Sequence, residues 1–552
     1  MSNNYKNKYL SEKYKFFELK NHAKDLQEEI THLKNQIDKI AKENEHFKSS
    51  KAYKVWNKYR DIKDQNNDLD YKKHDKIKNP HDIKVALISD QFTYDSYKYE
   101  FEIIEISPEN WLEQFKKEKP ELFFCESAWQ GYCFGQSGAW AGKIEKLDEN
   151  GENRAILFDI LKYCNEKNIP TIFWNKEDPV YYSSSGKYFT DTATRFDYIF
   201  TSAEETIKDY KKDYNHPNVY SLMFAGQPKL FNPLNLSDEE INDVVFAGSY
   251  YKHHEERMKN SDLIFDKIIS QNINLRIYDR TYNENIAHIG FPEKYKKYTL
   301  PSIDYKDTSK IYKKMKWGIN INTITKSETM FARRVFELAL TNTNIISNYS
   351  LGMKEIFKNN IFIIEDDDFP ILTEPYEEKR LNNLYNSLEN HTYAKRWKQI
   401  LDTINFPYKE ENKEITVIFL VESEKEIENA YKKYNEINYS QKRLKLILED
   451  ELDIDNIKNK YPLIKMIYTK TDEYKEDISK NIESEYYIIA NNNLNTSFIK
   501  KAILHFEYLN KNYGIKEGEE KFKLGCESDI ENIVFNKKTS NLNKKFYDVY
   551  YI

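Results

Sequence analysis

The sequence is poor in cysteine. It has four in 552 residues, Cys125, Cys133, Cys164 and Cys526, none at metal-ligand spacing. Cys125 and Cys133 stand eight apart with no partner pair or histidine cluster nearby, so neither a zinc site nor a disulfide framework is indicated, and a reducing compartment fits best. Long apolar runs are also missing. No stretch approaches the about 18 residues that a membrane span needs, and the N-terminal MSNNYKNKYLSEKYKF lacks the apolar core of a signal peptide. A cytoplasmic location is therefore expected, with attachment to the inner face of the membrane left open. Positive charge is not in excess either: 84 Lys and Arg against 90 Asp and Glu give a net charge of -6, which provides no bulk basic field for nucleic acid. No nucleic-acid partner is expected, although residues 51–60 form a locally Lys- and Tyr-rich stretch.

What is present fits a well-solvated globular chain, 39% hydrophobic and 32% charged, too apolar to stay disordered. Its length allows three or four domains with separate cores. The 44 tyrosines and 31 phenylalanines serve core filling and, at surfaces, stacking on sugars or bases.

The first part, residues 1–78, reads as a coiled-coil helix and linker. Phe16, Leu19, Ala23, Leu26, Ile30, Leu33, Ile37, Ile40, Asn44 and Phe47 follow alternating steps of three and four with charged residues between them, the pattern of a heptad seam. Homo-oligomerisation through residues 10–48 is the expectation, and a lone amphipathic helix packed on its own domain is the alternative. From Lys84 the pattern changes. Short apolar strands (84–90, 121–125, 170–174, 198–201) alternate with helical stretches, and a second series begins near Asp243 (243–248, 274–278, 317–322, 344–347, 361–364). Continuous apolar strands between helices predict parallel sheets covered on both faces. The expected class is α/β, with two tandem Rossmann-like domains at 79–235 and 236–405 and a cleft at the carboxyl ends of both sheets, where such folds place ligands. A charged helix over 378–402 is expected to cross back to the first domain. Residues 412–552 read as a smaller α/β domain, with strands at 415–420, 444–448 and 486–490.

The segment Ser327–Glu-Thr-Met-Phe-Ala-Arg-Arg-Val-Phe-Glu337 carries the sharpest chemistry. Helical spacing puts Thr329, Arg333 and Glu337 on one face, with Met330, Arg334 and Glu337 as near neighbours. Arginines at a helix start can address phosphates, and Glu337 can accept ribose hydroxyls. An Arg–Glu ion pair on an amphipathic helix is the plainer reading of the same spacing. Asp366-Asp-Asp368, directly after a strand and before Phe-Pro, reads as a solvated loop rather than a metal site.

Arg334-Val-Phe-Glu337 and Ile345-Ile-Ser-Asn348 resemble the donor-binding segment of the CgeB-like, group-1 glycosyltransferases. Asp243-Val-Val-Phe-Ala-Gly-Ser249 with Arg257, Arg276-Ile-Tyr-Asp-Arg280, Glu126-Ser-Ala-Trp129 and Trp174-Asn-Lys-Glu-Asp-Pro179 extend the resemblance over residues 83 to 375. Leu340-Thr-Asn-Thr343 departs from it, since the family has a small residue and Gly there. Glu328 stands one residue too far from Glu337 for the family's paired-glutamate spacing.

The resemblance implies a GT-B enzyme that moves a sugar from a nucleotide donor, expected to be UDP-linked, to a cell-surface polymer, spore glycan or protein. It implies no cofactor and no metal. Glu337, Arg334, Arg257, Asp178 and Glu126 are the implied catalytic residues. Gly248, Ser249, Tyr278, Thr329, Met330 and Phe331 would bind the donor, and Trp129 and Asp90 the acceptor. A catalytically inactive sugar-nucleotide or glycan-binding scaffold, assembled through the coiled coil, is the alternative. The stretch from Ile415 to Asp450 resembles the start of a family 2 (GT-A) glycosyltransferase. Ala490-Asn-Asn-Asn493 stands where that family has carboxylates, which implies a degenerate domain kept for binding or assembly.

Overall fold

The computed structural model describes residues 77–552 except 148–150, 183–188, 237–239, 285, 287, 366–368, 449–452, 463–465, 470–481, 520 and 539–545. The heptad segment, its Asn44, the Lys- and Tyr-rich stretch and Asp366–Asp368 lie outside the described residues.

Three sheets organise the described chain. The first contains β1 (Lys84–Ile88), β2 (Glu102–Glu105), β3 (Leu122–Glu126), β4 (Thr171–Asn175), β5 (Tyr198–Thr201) and β6 (Val219–Ser221), in the order β2-β1-β3-β4-β5-β6 with every pair parallel. β3 and β4 are buried at every position, as continuous apolar runs sandwiched between helices must be. The second contains β7 (Ile241–Gly248), β8 (Leu275–Asp279), β9 (Thr299–Leu300), β10 (Met315–Asn320), β11 (Asn344–Ser347) and β12 (Phe362–Ile363), in the order β9-β8-β7-β10-β11-β12, again all parallel. The expected α/β class with two Rossmann-like sheets is therefore present. In each sheet the strand order reverses once, beside β1 and β3 in the first and beside β7 and β10 in the second, and such reversals open a crevice past the strand ends. The short or edge strands β2, β6 and β9 are the ones the sequence pattern marks least.

The third sheet is mixed. β13 (Ile415–Val421), β14 (Lys442–Leu448), β15 (Met466–Thr469) and β16 (Tyr486–Ala490) are parallel, and β17 (Gly514–Lys516), β18 (Leu524–Glu527), β19 (Ile533–Asn536) and β20 (Tyr547–Tyr551) extend it in the order β15-β14-β13-β16-β19-β17-β20-β18.

The expected single helix over 378–402 is two helices, Glu377–Asn390 and Tyr393–Thr403, and Thr392 caps the second by accepting from the Lys395 amide. That second helix lies on the first domain. Trp397 donates its indole N–H to Pro80 O at 3.1 Å and packs against Phe101 at 4.7 Å between ring centroids. Arg396 donates to the carbonyls of Met223 and Phe224. The first helix faces the third domain, where Tyr385 bonds buried His505 and Glu389 pairs with Lys500.

Candidate active site

The carboxyl end of β7 passes through Ala247 and Gly248 into Ser249, at the point where the strand order of the second sheet reverses. Arg334 donates to Ala247 O and lies over the Phe246 ring at 4.9 Å. A β-carbon at Gly248 would meet the Arg334 guanidinium and the Phe246 ring at 3.0 Å each, so glycine is what allows the arginine to close on the strand end. Arg280 donates to Ser249 Oγ at 3.4 Å and to the Tyr251 hydroxyl at 2.7 Å. Arg257 lies over the Tyr251 ring at 5.2 Å and is held by Ile321 O and Thr323 Oγ1 at 3.1 and 2.9 Å. Burial, joined by the charges of Arg334 and Arg280, pushes the Arg257 guanidinium down to about 10. Among the described residues none of these three arginines has an acidic partner. Three cations crowded without a counter-ion among the described residues have the chemistry to accept a multiply charged anion.

Beside them Glu337 is almost fully buried. Its Oε1 accepts from Arg333 and from the Tyr305 hydroxyl, both at 3.0 Å. Burial would lower the Arg333 pKa, but Tyr305 and Glu337 outweigh it and raise the group, which keeps the guanidinium charged. The Arg333 guanidinium stacks on Phe92 of the first domain at 3.7 Å. Phe92, Gly248, Ser249, Tyr278, Arg334 and Glu337 thus border one cleft of about 180 Å³ between the two Rossmann-like domains.

The helix carrying Arg334 and Glu337 spans Arg334–Leu340, so it starts after Thr329 and Met330, which helical spacing had put beside them. The reason is a buried amide network. Asn322 Oδ1 accepts from the Ala332 amide at 2.9 Å, and the Asn322 amide donates to Asn348 Oδ1 at 2.7 Å, holding the preceding segment as a loop across the ends of β10 and β11. Thr329, Met330 and Phe331, expected to bind the donor, lie in this loop and do not border the arginine cleft. Thr329 bridges the domains instead, donating to Ser202 O at 2.9 Å and accepting from the Glu204 amide at 2.8 Å. Met330 and Phe331 line a second, largely apolar cavity of about 210 Å³, which shares Arg257 with the arginine cleft and includes Lys176, Glu177, Tyr181 and Phe224 of the first domain.

The first-domain residues expected to act in the cleft are placed differently. Asp178 turns inward and is fully buried. It accepts from Asn175, Thr201 and Tyr210 at 2.9, 2.7 and 3.2 Å, and burial lifts its carboxyl to about 7. Glu126 is also fully buried, accepting from Thr93, the Asp90 amide and Lys176. Asp90 accepts from the successive amides of Trp129, Gln130 and Gly131. Burial opposes its charge, but Lys176 and those amides hold its carboxyl below the usual range. These carboxylates fix the loops after β1, β3 and β4. Trp129 is half-buried, packs edge-on against Tyr181 and Phe189 at 5.5 and 4.8 Å on the first domain's core cluster, and hydrogen-bonds Glu177.

Glu177, next to Asp178, is the carboxylate that borders the second cavity. Burial raises its pKa, and Lys176 pulls the other way. Sequence reading missed Tyr305 and Phe92, and quoted Glu177 only within a motif, with no role assigned to it. It noted Arg280 in a motif without giving it a role, although that arginine directly follows β8.

Residues 261–402 match the family model described as "Glycosyl transferase-like". That segment is a glycosyltransferase-like domain. It holds β8–β12 and the Arg334–Leu340 helix, whereas Gly248 and Arg257 lie just ahead of it. With the two facing Rossmann-like sheets, the architecture is that of the GT-B fold. No curated protein sequence matches the chain. Among solved structures it is similar to an alpha-glucosyltransferase in complex with UDP and a 13-mer DNA containing a central A:G mismatch. That pair shares 11% identity, covers 58% of this chain and 99% of the other, and has a TM-score of 0.39. HepE of Anabaena in complex with UDP and glucose shares 11% identity over 57% of this chain and 89% of that one, with a TM-score of 0.34. An alpha1,3-fucosyltransferase shares 12% identity over 59% and 90%, with a TM-score of 0.30.

Among the described residues no helix is long and apolar enough to cross a membrane, and no group of three His, Cys, Asp or Glu is placed to hold a metal ion. The four cysteines are free.

Proposed function

We propose that the chain transfers a glycosyl group from a nucleoside-diphosphate sugar, with UDP as the expected nucleotide, to a hydroxyl of a glycan, polymer or protein acceptor. The observation that carries this reading is the cluster of Arg257, Arg280 and Arg334 around Gly248, without acidic partners among the described residues, at the end of a central parallel strand. A diphosphate supplies the missing negative charge, and the same cations stabilise it as it leaves. Glu337, oriented by Arg333 and Tyr305, is assigned to the donor's ribose hydroxyls. The adjoining cavity is assigned to the acceptor, with Glu177 as its base. In the reaction the bond between the anomeric carbon and the diphosphate oxygen breaks, and its electron pair stays with the diphosphate. The acceptor oxygen bonds the anomeric carbon, and its proton passes to Glu177, whose raised affinity for protons suits that role.

The third domain is read as a degenerate family 2 domain retained for binding, and the heptad segment as the means of self-association. The test is nucleoside diphosphate release from a panel of sugar nucleotides. Arg334→Ala and Arg257→Ala should each lower turnover by roughly 10²–10³, the scale for removing one donor to a developing oxyanion. Tight nucleotide binding without turnover on any acceptor would favour the scaffold alternative.

A further inference from the structure

A cavity of about 420 Å³ opens in the third domain beyond the carboxyl end of β16, and its chemistry is the reverse of the arginine cleft. Its lining comes from the segment after β16, the end of β17 with the residues that follow it, and Asn532 just ahead of β19. The amides Asn495 and Asn532 line it, and both are held in place. Asn495 donates to Glu517 at 2.9 Å and accepts from Ser497. Asn532 exchanges hydrogen bonds with Asn491, which in turn donates to Glu531 at 2.6 Å. Leu494 and Phe498, both buried, form the apolar part of the wall. The one lysine in the lining, Lys516, already pairs with Glu527 at 3.1 Å, whereas Glu517 and Glu519 add negative charge. Among the described residues a diphosphate finds no free cation in this lining. Fixed amides and carboxylates beside an apolar wall instead match a neutral ligand dense in hydroxyl groups.

We infer that this cavity is a binding site for a neutral oligosaccharide, separate from the donor cleft. Such a site would hold a glycan on the enzyme while the two Rossmann-like domains act at another point. It does not depend on the donor reading, which is tested by nucleotide binding at the arginines.

The test is saturation-transfer NMR on the full chain with maltotetraose, cellotetraose and chitotetraose as probes, followed by calorimetry on whichever binds. Binding is expected for at least one, weakened by about tenfold in Glu517→Ala and in Asn532→Ala and unchanged in Arg334→Ala. Glu517 is exposed, so its variant keeps the test meaningful if Asn532→Ala fails to fold. No binding by any of the three overturns the inference. So does binding that Arg334→Ala abolishes while Glu517→Ala leaves it intact, which would move the ligand to the arginine cleft. Uridine diphosphate binding that survives Arg334→Ala and is lost in Lys516→Ala would also overturn it, making the cavity an anion site.

Discussion

Asp178 shows how one buried group ties pH to stability. Unfolded, it ionises near its ordinary 3.8, but in the fold burial lifts it to about 7. Between those values the unfolded chain has released a proton that the folded chain retains, so this group's contribution is full below about pH 4 and is lost as the pH rises through 7. Asp178→Asn carries no such charge, and the neighbouring hydroxyls of Thr201 and Tyr210 can turn to suit it. The melting-temperature difference between wild type and Asp178→Asn should therefore move in the variant's favour from pH 4 to pH 7. A difference that is flat in pH would contradict the burial argument. Asp178 also shows a limit of sequence reading. Its position after a strand was legible, but which way the loop turns depends on partners 23 and 32 residues away. Arg334 and Glu337 were legible because their relation is local. Tyr305, Phe92 and Arg280 reach the same cleft from other elements, which no local spacing encodes.

At the level of elements, the helix Arg334–Leu340 sits close to β10 because Gly318 has no side chain. A β-carbon there would meet Leu338 at 2.3 Å. Gly318→Ala should destabilise the fold by about 1–3 kcal/mol through overpacking. It should also weaken nucleoside diphosphate binding, because the displaced helix carries Arg334. Denaturant unfolding and calorimetry check the two effects, and a variant with wild-type stability would show that the helix has freedom to shift. The central strands of each sheet were readable as apolar runs between helices. The helix start was not, because the buried amides Asn322 and Asn348 override the local helical pattern.

For the whole molecule, the two Rossmann-like domains are joined at the cleft by Thr329 and by Arg333 on Phe92, and away from it by the helix Tyr393–Thr403. Trp397 anchors that helix and is 1% exposed, so Trp397→Ala should cost about 3–5 kcal/mol. Unfolding followed by tryptophan-independent circular dichroism measures it, and a loss below 1 kcal/mol (about one side-chain hydrogen bond) would mean the helix is held elsewhere. The two parallel sheets were written in the sequence as alternating strands and helices, and the return helix as a charged stretch expected to cross back to the first domain, though as one helix where there are two. The central claim is that three arginines without acidic partners among the described residues bind a diphosphate, and calorimetry with uridine diphosphate on wild type and Arg334→Ala tests it most directly. The account expects binding by the wild type and a loss of at least about tenfold in the variant, the equivalent of 1.4 kcal/mol. Equal affinity in the two proteins, or no binding to the wild type at millimolar nucleotide, would contradict it.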